Sequence, residues 1–195
     1  MEFQDVVRRR RMVRSFDSRP IPPEVLGRIL ENARRAPSAG NSQGWAFLVL
    51  EGAEDTGRFW DAINPERQGA WPELFNAPVV VVCLSDKETY LRRYAEPDKG
   101  WADMDERRWA VPYWDIDTAM AAMLILLSAV DAGLGALFFG LGDRHGALHE
   151  RFGIPGEMRA IGAIALGYAK PRDRRSGSLR RGPRPAGEVV HVGRW

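Results

Sequence analysis

The most restrictive feature of the sequence is the stretch Asp117–Asp131, which is apolar on almost every side of a helix. Its longest uninterrupted apolar run, Ala119–Leu127, has nine residues, whereas a helix that crosses a bilayer needs about 20. A helix that is apolar on every face is buried, so the stretch predicts a helix in a domain core or in a subunit interface. Asp117 is placed to cap the start of this helix, and Gly133-Leu134-Gly135 ends it.

The composition is that of one well-packed domain. The chain has 195 residues, of which 45% are hydrophobic and 10% are aromatic, and this is enough for one domain with a substantial core. The single cysteine, Cys83, lies in a run of valines and cannot form an internal disulfide, so we predict a buried core residue and a reducing compartment. The N-terminus lacks the apolar stretch of a signal peptide, and we expect a cytoplasmic protein.

Positive charge is concentrated at the two ends of the chain. Residues 1–14 have a net charge of +3 and residues 170–195 have +6, although the whole chain has only +2. Three explanations are open: a solvated arginine face, a nucleic-acid surface, or a phosphate site built from both ends. The Arg8–Arg11 tract lacks the interleaved aromatic residues that are typical of nucleic-acid binding.

Helix and strand patterns alternate irregularly, which favours an α+β fold over regular βαβ units. Helical spacing of apolar residues predicts further helices over Phe3–Arg11, Pro23–Ala36, Asp55–Ile63 and Arg144–Phe152. Apolar runs predict strands over Trp45–Leu50, Val79–Leu84, Ala136–Phe139 and Arg159–Leu166.

Two segments differ from this core. Residues 86–115 are polar and rich in aromatic rings, and we predict that they form a functional lid. The arginines of this segment could serve an anionic substrate; they are Arg92, Arg93, Arg107 and Arg108. The extension 170–195 is rich in Arg, Gly and Pro and becomes β-like at Val189–Val192, so we expect it to lie on a partner subunit.

Several common motifs are absent from the sequence. The glycines between residues 133 and 146 do not have the G-x-G-x-x-G spacing of a dinucleotide-binding loop, and there is neither a P-loop nor a G-x-S-x-G elbow. His145 and His149 are four residues apart, but the glutamate of a zinc protease is missing between them, and we predict no metal site.

Four segments together resemble the FMN-dependent nitroreductase family. In chain order they are Arg10–Phe16, Ala36–Trp45, Gly133–Gly140, and Leu166–Tyr168 with the ending Glu188–His191. The resemblance implies a single FMN-binding domain over residues 1–195, with a central mixed, mainly antiparallel sheet flanked by helices. It also implies an obligate homodimer with two FMN sites at the subunit interface.

The resemblance assigns roles to individual residues. Arg10 and Arg11 would meet the FMN phosphate and ribityl chain, and Arg14 would approach the flavin N1/O2 edge, where a guanidinium stabilises the charge of the reduced ring. Arg181 or Arg184 would supply a last phosphate contact. The remaining cofactor-binding residues that it implies are Met12, Val13, Pro37, Ser38, Ala39, Gly40, Leu137, Phe138, Phe139 and Gly140.

The implied activity is a ping-pong oxidoreductase, in which NADH or NADPH gives hydride to FMN N5 and a small nitroaromatic or quinone acceptor then takes it. This scheme requires no side-chain acid or base, so no catalytic residue is predicted. The alternatives are a specialised flavoprotein for dehalogenation or flavin fragmentation, an FMN binder without a redox role, and a basic nucleic-acid-binding protein. Our first interpretation includes no nucleic-acid, membrane or metal partner.

Overall fold

The computed structural model describes all 195 residues and places six α-helices around one four-stranded sheet. The helices are α1 (Phe3–Arg9), α2 (Pro23–Ala33), α3 (Gly52–Ile63), α4 (Lys87–Ala95), α5 (Tyr113–Asp131) and α6 (His145–Phe152). The strands are β1 (Trp45–Glu51), β2 (Val79–Asp86), β3 (Gly135–Phe139) and β4 (Met158–Gly167). Five 3-10 helices are Ala39–Asn41, Pro72–Asn76, Glu106–Arg108, Gly177–Arg181 and Ala186–Glu188.

The sheet has the order β1-β2-β4-β3, and all three strand pairs are antiparallel. The central strand β2 is buried at all eight positions, as its valine run predicts. Its cysteine, Cys83, is fully buried, and this burial raises the pKa of the thiol to about 12. An isolated parallel bridge between Met12 and Ala136 adds the one parallel contact to the sheet. The α+β prediction is confirmed.

Helices cover both faces of the sheet. On one face, Ile29 of α2 and Ile125 of α5 pack against Val81 of β2 and its neighbours. On the other face, Phe59 of α3 and Leu148 of α6 pack against a second cluster. Residues of β2 alternate between the two clusters because successive side chains of a strand point to opposite faces.

The central helix α5 begins at Tyr113, four residues before the predicted start at Asp117. The prediction that Asp117 caps this helix is therefore wrong: the residue lies inside α5 and is 3% exposed. By length and apolar content, α5 would suffice to cross a bilayer, yet one of its faces packs in the core. The opposite face is exposed, with Met120 at 42% and Met123 at 44%.

The structure adds one helix that the sequence did not predict and lacks one predicted β-like segment. Residues 86–115 contain a regular helix, α4, although few apolar residues mark it in the sequence. Residues Val189–Val192 form no strand, and Val192 is 91% exposed, because no sheet edge in this chain lies beside them. A segment with alternating apolar residues forms a stable strand only when another strand lies beside it and shares its backbone hydrogen bonds.

Candidate functional site

The basic N-terminal segment runs alongside the edge strand β3. The backbone N–H of Val13 donates to the carbonyl of Ala136 at 3.0 Å. A side chain at Gly135 would meet Val13, since a Cβ there would lie 2.8 Å from the Val13 methyl carbon Cγ2. The absence of a side chain at Gly135 therefore lets residues 10–14 approach the sheet closely and fixes the direction of their arginines.

These arginines line an open cavity of about 780 Å³, here called the basic cavity. The wall is formed by six arginines, two serines, one methionine and one leucine from the N-terminal segment and the C-terminal extension: Arg8, Arg9, Arg10, Arg11, Met12, Arg14, Arg175, Ser176, Ser178 and Leu179. The structure thus brings the two basic ends of the chain together, as a shared phosphate site requires.

The side chains of Arg9, Arg10 and Arg175 have no hydrogen-bond acceptor or carboxylate partner in the structure. Arg8, by contrast, pairs with Asp5 at 2.7 Å. Three unpaired guanidinium groups around one cavity repel one another, and an anion with several oxygen atoms would relieve that repulsion. The basic cavity is therefore suited to a phosphate.

Asp173 fixes the extension against the arginine segment. Its side chain is 1% exposed and forms an ion pair with Arg11. The same carboxylate accepts the backbone N–H of Arg14 at 2.8 Å. A buried carboxylate costs free energy unless such partners satisfy it, so Asp173 holds the extension and residues 11–14 in one arrangement.

Glu73 makes a second connection between the extension and the N-terminal segment. Glu73 accepts a hydrogen bond from Lys170 at 2.8 Å and another from the hydroxyl of Ser15. These two hydrogen bonds, that from Lys170 first, hold the pKa of the Glu73 carboxyl below its ordinary value. The start of the extension is thereby joined to both the N-terminal segment and the 3-10 helix that contains Glu73.

An aromatic cavity of about 360 Å³ lies at the end of β3. Its walls include the end of β3 and the rings around it, namely Trp60, Trp71, Phe75, Phe139 and Gly140. Phe139 stacks on Trp60 with ring centroids 5.5 Å apart. Trp71 of the aromatic cavity has its ring centroid 5.2 Å from the guanidinium carbon of Arg14, which lines the basic cavity, and 4.7 Å from that of Arg174.

The predicted residues of β3 divide between the core and this aromatic cavity. Leu137 is buried in a small cluster with Val13 and Phe16. Phe138 packs over Gly162, where a Cβ would lie 2.5 Å from its ring. Phe139 and Gly140 reach the wall of the aromatic cavity.

Residues 37–44 form a separate feature, here called the 37–44 loop, and none of them lines either cavity. The backbone N–H of Ala39 donates to Asp117 at 2.8 Å, and that of Gln43 donates to the hydroxyl of Ser38 at 2.9 Å. Gly40 lies against the ring of Tyr94, where a Cβ would be only 2.7 Å from the ring. Within one chain, the predicted residues Pro37–Gly40 are thus not brought to the arginines.

Arg181 and Arg184 also lie away from the basic cavity. Arg184 donates to the backbone carbonyl of Glu188 at 2.9 Å, and Arg181 is exposed at the end of a 3-10 helix. The residue of the extension that supplies a guanidinium to the cavity is Arg175, which sequence reasoning missed. The available signal was the dense run of arginines at 172–175.

The lid segment, residues 86–115, is held by its own aromatic and charged side chains. Trp109 is the centre, with its ring centroid 4.5 Å from Tyr94 and 5.4 Å from Trp101. Each of the four arginines expected to serve an anionic substrate is paired with a nearby carboxylate, in the pairs Arg92–Asp86, Arg93–Asp98, Arg107–Asp105 and Arg108–Asp103. The hydrogen bonds from Arg107 lower the pKa of Asp105 to about 2. The lid arginines are therefore already neutralised.

The donor set fits a phosphorylated aromatic cofactor. Free guanidinium groups and serine hydroxyls line the basic cavity, and flat aromatic side chains line the aromatic cavity. FMN has this division, with a phosphate at one end and a planar ring at the other. By contrast, no group of three His, Cys, Asp or Glu side chains is arranged to hold a metal ion.

Comparison with known proteins gives a consistent family. The Nitroreductase family model matches residues 7–168. A relative from Archaeoglobus fulgidus, provisionally named an NADH dehydrogenase/NAD(P)H nitroreductase, is 31% identical over 166 residues, which cover 83% of this chain and 82% of that protein. The chloronitrobenzene nitroreductase of Comamonas testosteroni is 28% identical over 201 residues, covering 86% of each chain.

The fold agrees with that assignment. The solved structure of an FMN-dependent nitroreductase from Clostridium difficile superposes with a TM-score of 0.70 at 21% identity, and covers 97% of this chain and 98% of that one. At this identity the superposition shows that the two proteins share a fold, whereas the match to the family model rests on the sequence. On both grounds, the α+β domain described above has a nitroreductase-like fold, and the chain belongs to the nitroreductase family.

Proposed function

We propose that this protein is an FMN-dependent NAD(P)H oxidoreductase that reduces a small nitroaromatic or quinone-type acceptor. The observation that carries the proposal is the basic cavity with its unpaired guanidinium groups, whose Arg14 lies against Trp71 of the aromatic cavity. Family members named as nitroreductases support the reaction class, and one structural neighbour is named FMN-dependent.

When bound, FMN would supply the two-electron chemistry, accepting a hydride equivalent from the reduced nicotinamide and passing it to the acceptor in a ping-pong order. The protein supplies binding and electrostatics. Arg10 and Arg175 would hold the phosphate, because their guanidinium groups are free and face the cavity. Arg14, held beside Trp71, would place a fixed positive charge near the ring.

We also propose that the site is completed by a second copy of the chain. The 37–44 loop and the basic cavity lie apart in one chain, although the resemblance assigns both to FMN. Large apolar side chains are exposed on α1, α5 and the extension, among them Phe3 at 64%, Met123 at 44% and Trp195 at 98%. Exposed apolar surface of this kind marks an interface, and a homodimer would cover it.

A flavin titration tests the phosphate assignment. FMN and riboflavin share the ring, but only FMN has a phosphate, so we expect FMN to bind on the order of a hundredfold more tightly. Replacing Arg10 or Arg175 by alanine should reduce that preference, whereas Arg28→Ala, an exposed arginine of α2 outside the cavity, should not. Equal binding of FMN and riboflavin would contradict the proposal.

A further inference from the structure

Asp117 is a buried carboxylate without a cationic partner. It lies inside α5, is 3% exposed and forms no ion pair with any residue of the chain. One of its oxygen atoms, Oδ2, accepts two hydrogen bonds of 2.8 Å, from the backbone N–H of Ala39 and from the hydroxyl of Tyr90. A carboxylate is costly in such a place, so its two donors deserve a functional explanation.

These donors come from two different elements of the chain. Ala39 belongs to the 37–44 loop, and Tyr90 belongs to α4, the helix at the start of the lid segment. Burial raises the pKa of the Tyr90 hydroxyl well above its ordinary value, and the bond to Asp117 raises it further. The hydroxyl therefore remains protonated and donates. A single oxygen atom of α5 thus joins the loop to the lid helix.

Further contacts between the 37–44 loop and α4 leave the loop little room to move. A Cβ at Gly40 would be 2.7 Å from the Tyr94 ring, and one at Gly44 would be 2.5 Å from the Tyr90 ring. Arg93 of α4 donates through Nε to the carbonyl of Gly40 at 3.0 Å. Loop and lid helix are therefore in contact at both Gly40 and Gly44.

The backbone of the loop needs such support. Asn41 has a φ of 55° and Gln43 has a φ of 54°, in the left-handed region that non-glycine residues seldom adopt. Conformations of this kind persist where surrounding contacts hold them, and they cluster at ligand sites. The bond from Ala39 to Asp117 is one of the few contacts that hold this loop from the core.

We propose that Asp117 is a positioning residue, whose carboxylate holds the 37–44 loop against α4 so that the loop and the lid form one preorganised wall of the flavin site. The structural part of this inference stands on the hydrogen bonds above. Its link to the flavin rests on the proposed function, in which the 37–44 loop is part of the FMN site.

Three variants separate the roles of the carboxylate. Asp117→Asn keeps an oxygen that can accept both hydrogen bonds, Asp117→Leu has similar size and no acceptor, and Tyr90→Phe removes one donor. Hydrogen exchange of peptides over residues 37–44 is measured in the flavin-free proteins, after circular dichroism has shown that each variant is folded. We expect exchange on the order of tenfold faster in Asp117→Leu and Tyr90→Phe, and near wild type in Asp117→Asn.

The FMN dissociation constant is then measured for the same proteins. We expect it to rise on the order of tenfold in Asp117→Leu and to be restored in Asp117→Asn. The inference is overturned if hydrogen exchange of the loop is unchanged in Asp117→Leu. It is also overturned if this exchange is as fast in Asp117→Asn as in Asp117→Leu. If Asp117→Leu does not fold, Ala39→Pro replaces it, because it deletes only the backbone donor, and Ser38 already has the extended conformation that precedes proline.

The two claims can fail separately. If the wild-type protein binds no FMN, the proposed function is wrong, and loop exchange still decides whether Asp117 holds the loop. If the wild-type protein binds FMN but loop exchange is indifferent to Asp117→Leu, the positioning role alone is wrong.

Discussion

The arginines of the basic cavity fall into two groups according to what their guanidinium groups contact. Arg9, Arg10 and Arg175 are free, whereas Arg11 is paired with the buried carboxylate of Asp173. The free group is available to a phosphate, and the paired group holds the wall in place. The resemblance of the Arg10–Phe16 segment to the family predicted Arg10, Arg11 and Arg14. It did not predict Asp173, which lies 162 residues further along the chain and reaches Arg11 only after folding.

Removal of this carboxylate should therefore affect stability. Asp173→Ala leaves the Arg14 N–H and the Arg11 guanidinium without their acceptor, and we expect the free energy of unfolding to fall by roughly 2 kcal/mol. Glu157→Ala, at an exposed carboxylate without a hydrogen-bond partner, is the control and should stay within about 0.5 kcal/mol. Urea denaturation compares them, and equal effects of the two variants would refute the structural role of Asp173.

Glu73 gives a prediction about pH. Its folded pKa is lowered, chiefly by the hydrogen bond from Lys170, so it favours the folded state above its ordinary pKa of 4.5 and loses this effect as pH falls. Glu73→Gln should be less stable than wild type at pH 7, and the difference should vanish towards pH 3. Thermal unfolding of both proteins between pH 3 and pH 7 measures this difference in stability. A difference that does not change with pH would show that ionisation of Glu73 contributes nothing to stability.

At the scale of elements, sequence reasoning located strands and core helices well and their boundaries less well. The valine run of β2 predicted a buried strand, because burial on both faces removes polar positions. The start of α5 was misplaced because Asp117 is a residue type that often caps a helix, whereas this helix begins at Tyr113. α4 was missed because its stability comes from aromatic packing and a cap, and neither gives a clear periodicity.

That cap is open to test. Asp86 is the N-cap residue of α4 and accepts the backbone N–H of Thr89 at 3.2 Å. Asp86→Ala should destabilise the protein by about 1 kcal/mol, the usual value of such a cap. Glu88→Ala, in the same helical turn but without a hydrogen bond, is the matched control. If chemical denaturation gives the same change in the free energy of unfolding for both variants, the Asp86 cap does not stabilise the start of α4.

At the scale of the whole molecule, the central question is how the 37–44 loop reaches the basic cavity. Within one chain the two lie apart, and the exposed apolar faces of α1, α5 and the extension suggest where a second copy would pack. In a two-fold dimer, each loop would meet the partner's cavity, and both sites would be equivalent. The spacing of residues along one sequence could not place the loop beside the cavity, because the contact that we propose would form only on assembly.

Subunit mixing tests the shared site. Arg10→Glu disables the cavity, and Gly40→Val disables the loop, where a side chain would strike Tyr94. Each variant alone should be nearly inactive. Random mixing makes half of the dimers mixed, each with one intact site, so activity should recover to about a quarter of wild type. No recovery in a mixture shown to exchange subunits would mean that loop and cavity act within one chain.

The visible absorption spectrum of the purified protein, taken with FMN before and after anaerobic NADPH or NADH, tests the central claim most directly. The account predicts a bound flavin spectrum that bleaches with at least one of the two donors and returns when a nitroaromatic or quinone acceptor is added. If neither donor bleaches the bound flavin, the proposed oxidoreductase activity is contradicted. The protein would then be an FMN binder without that redox role. Protein that binds no flavin even with FMN in excess would contradict the cofactor site itself, and the basic cavity would then be tested with nucleic acid.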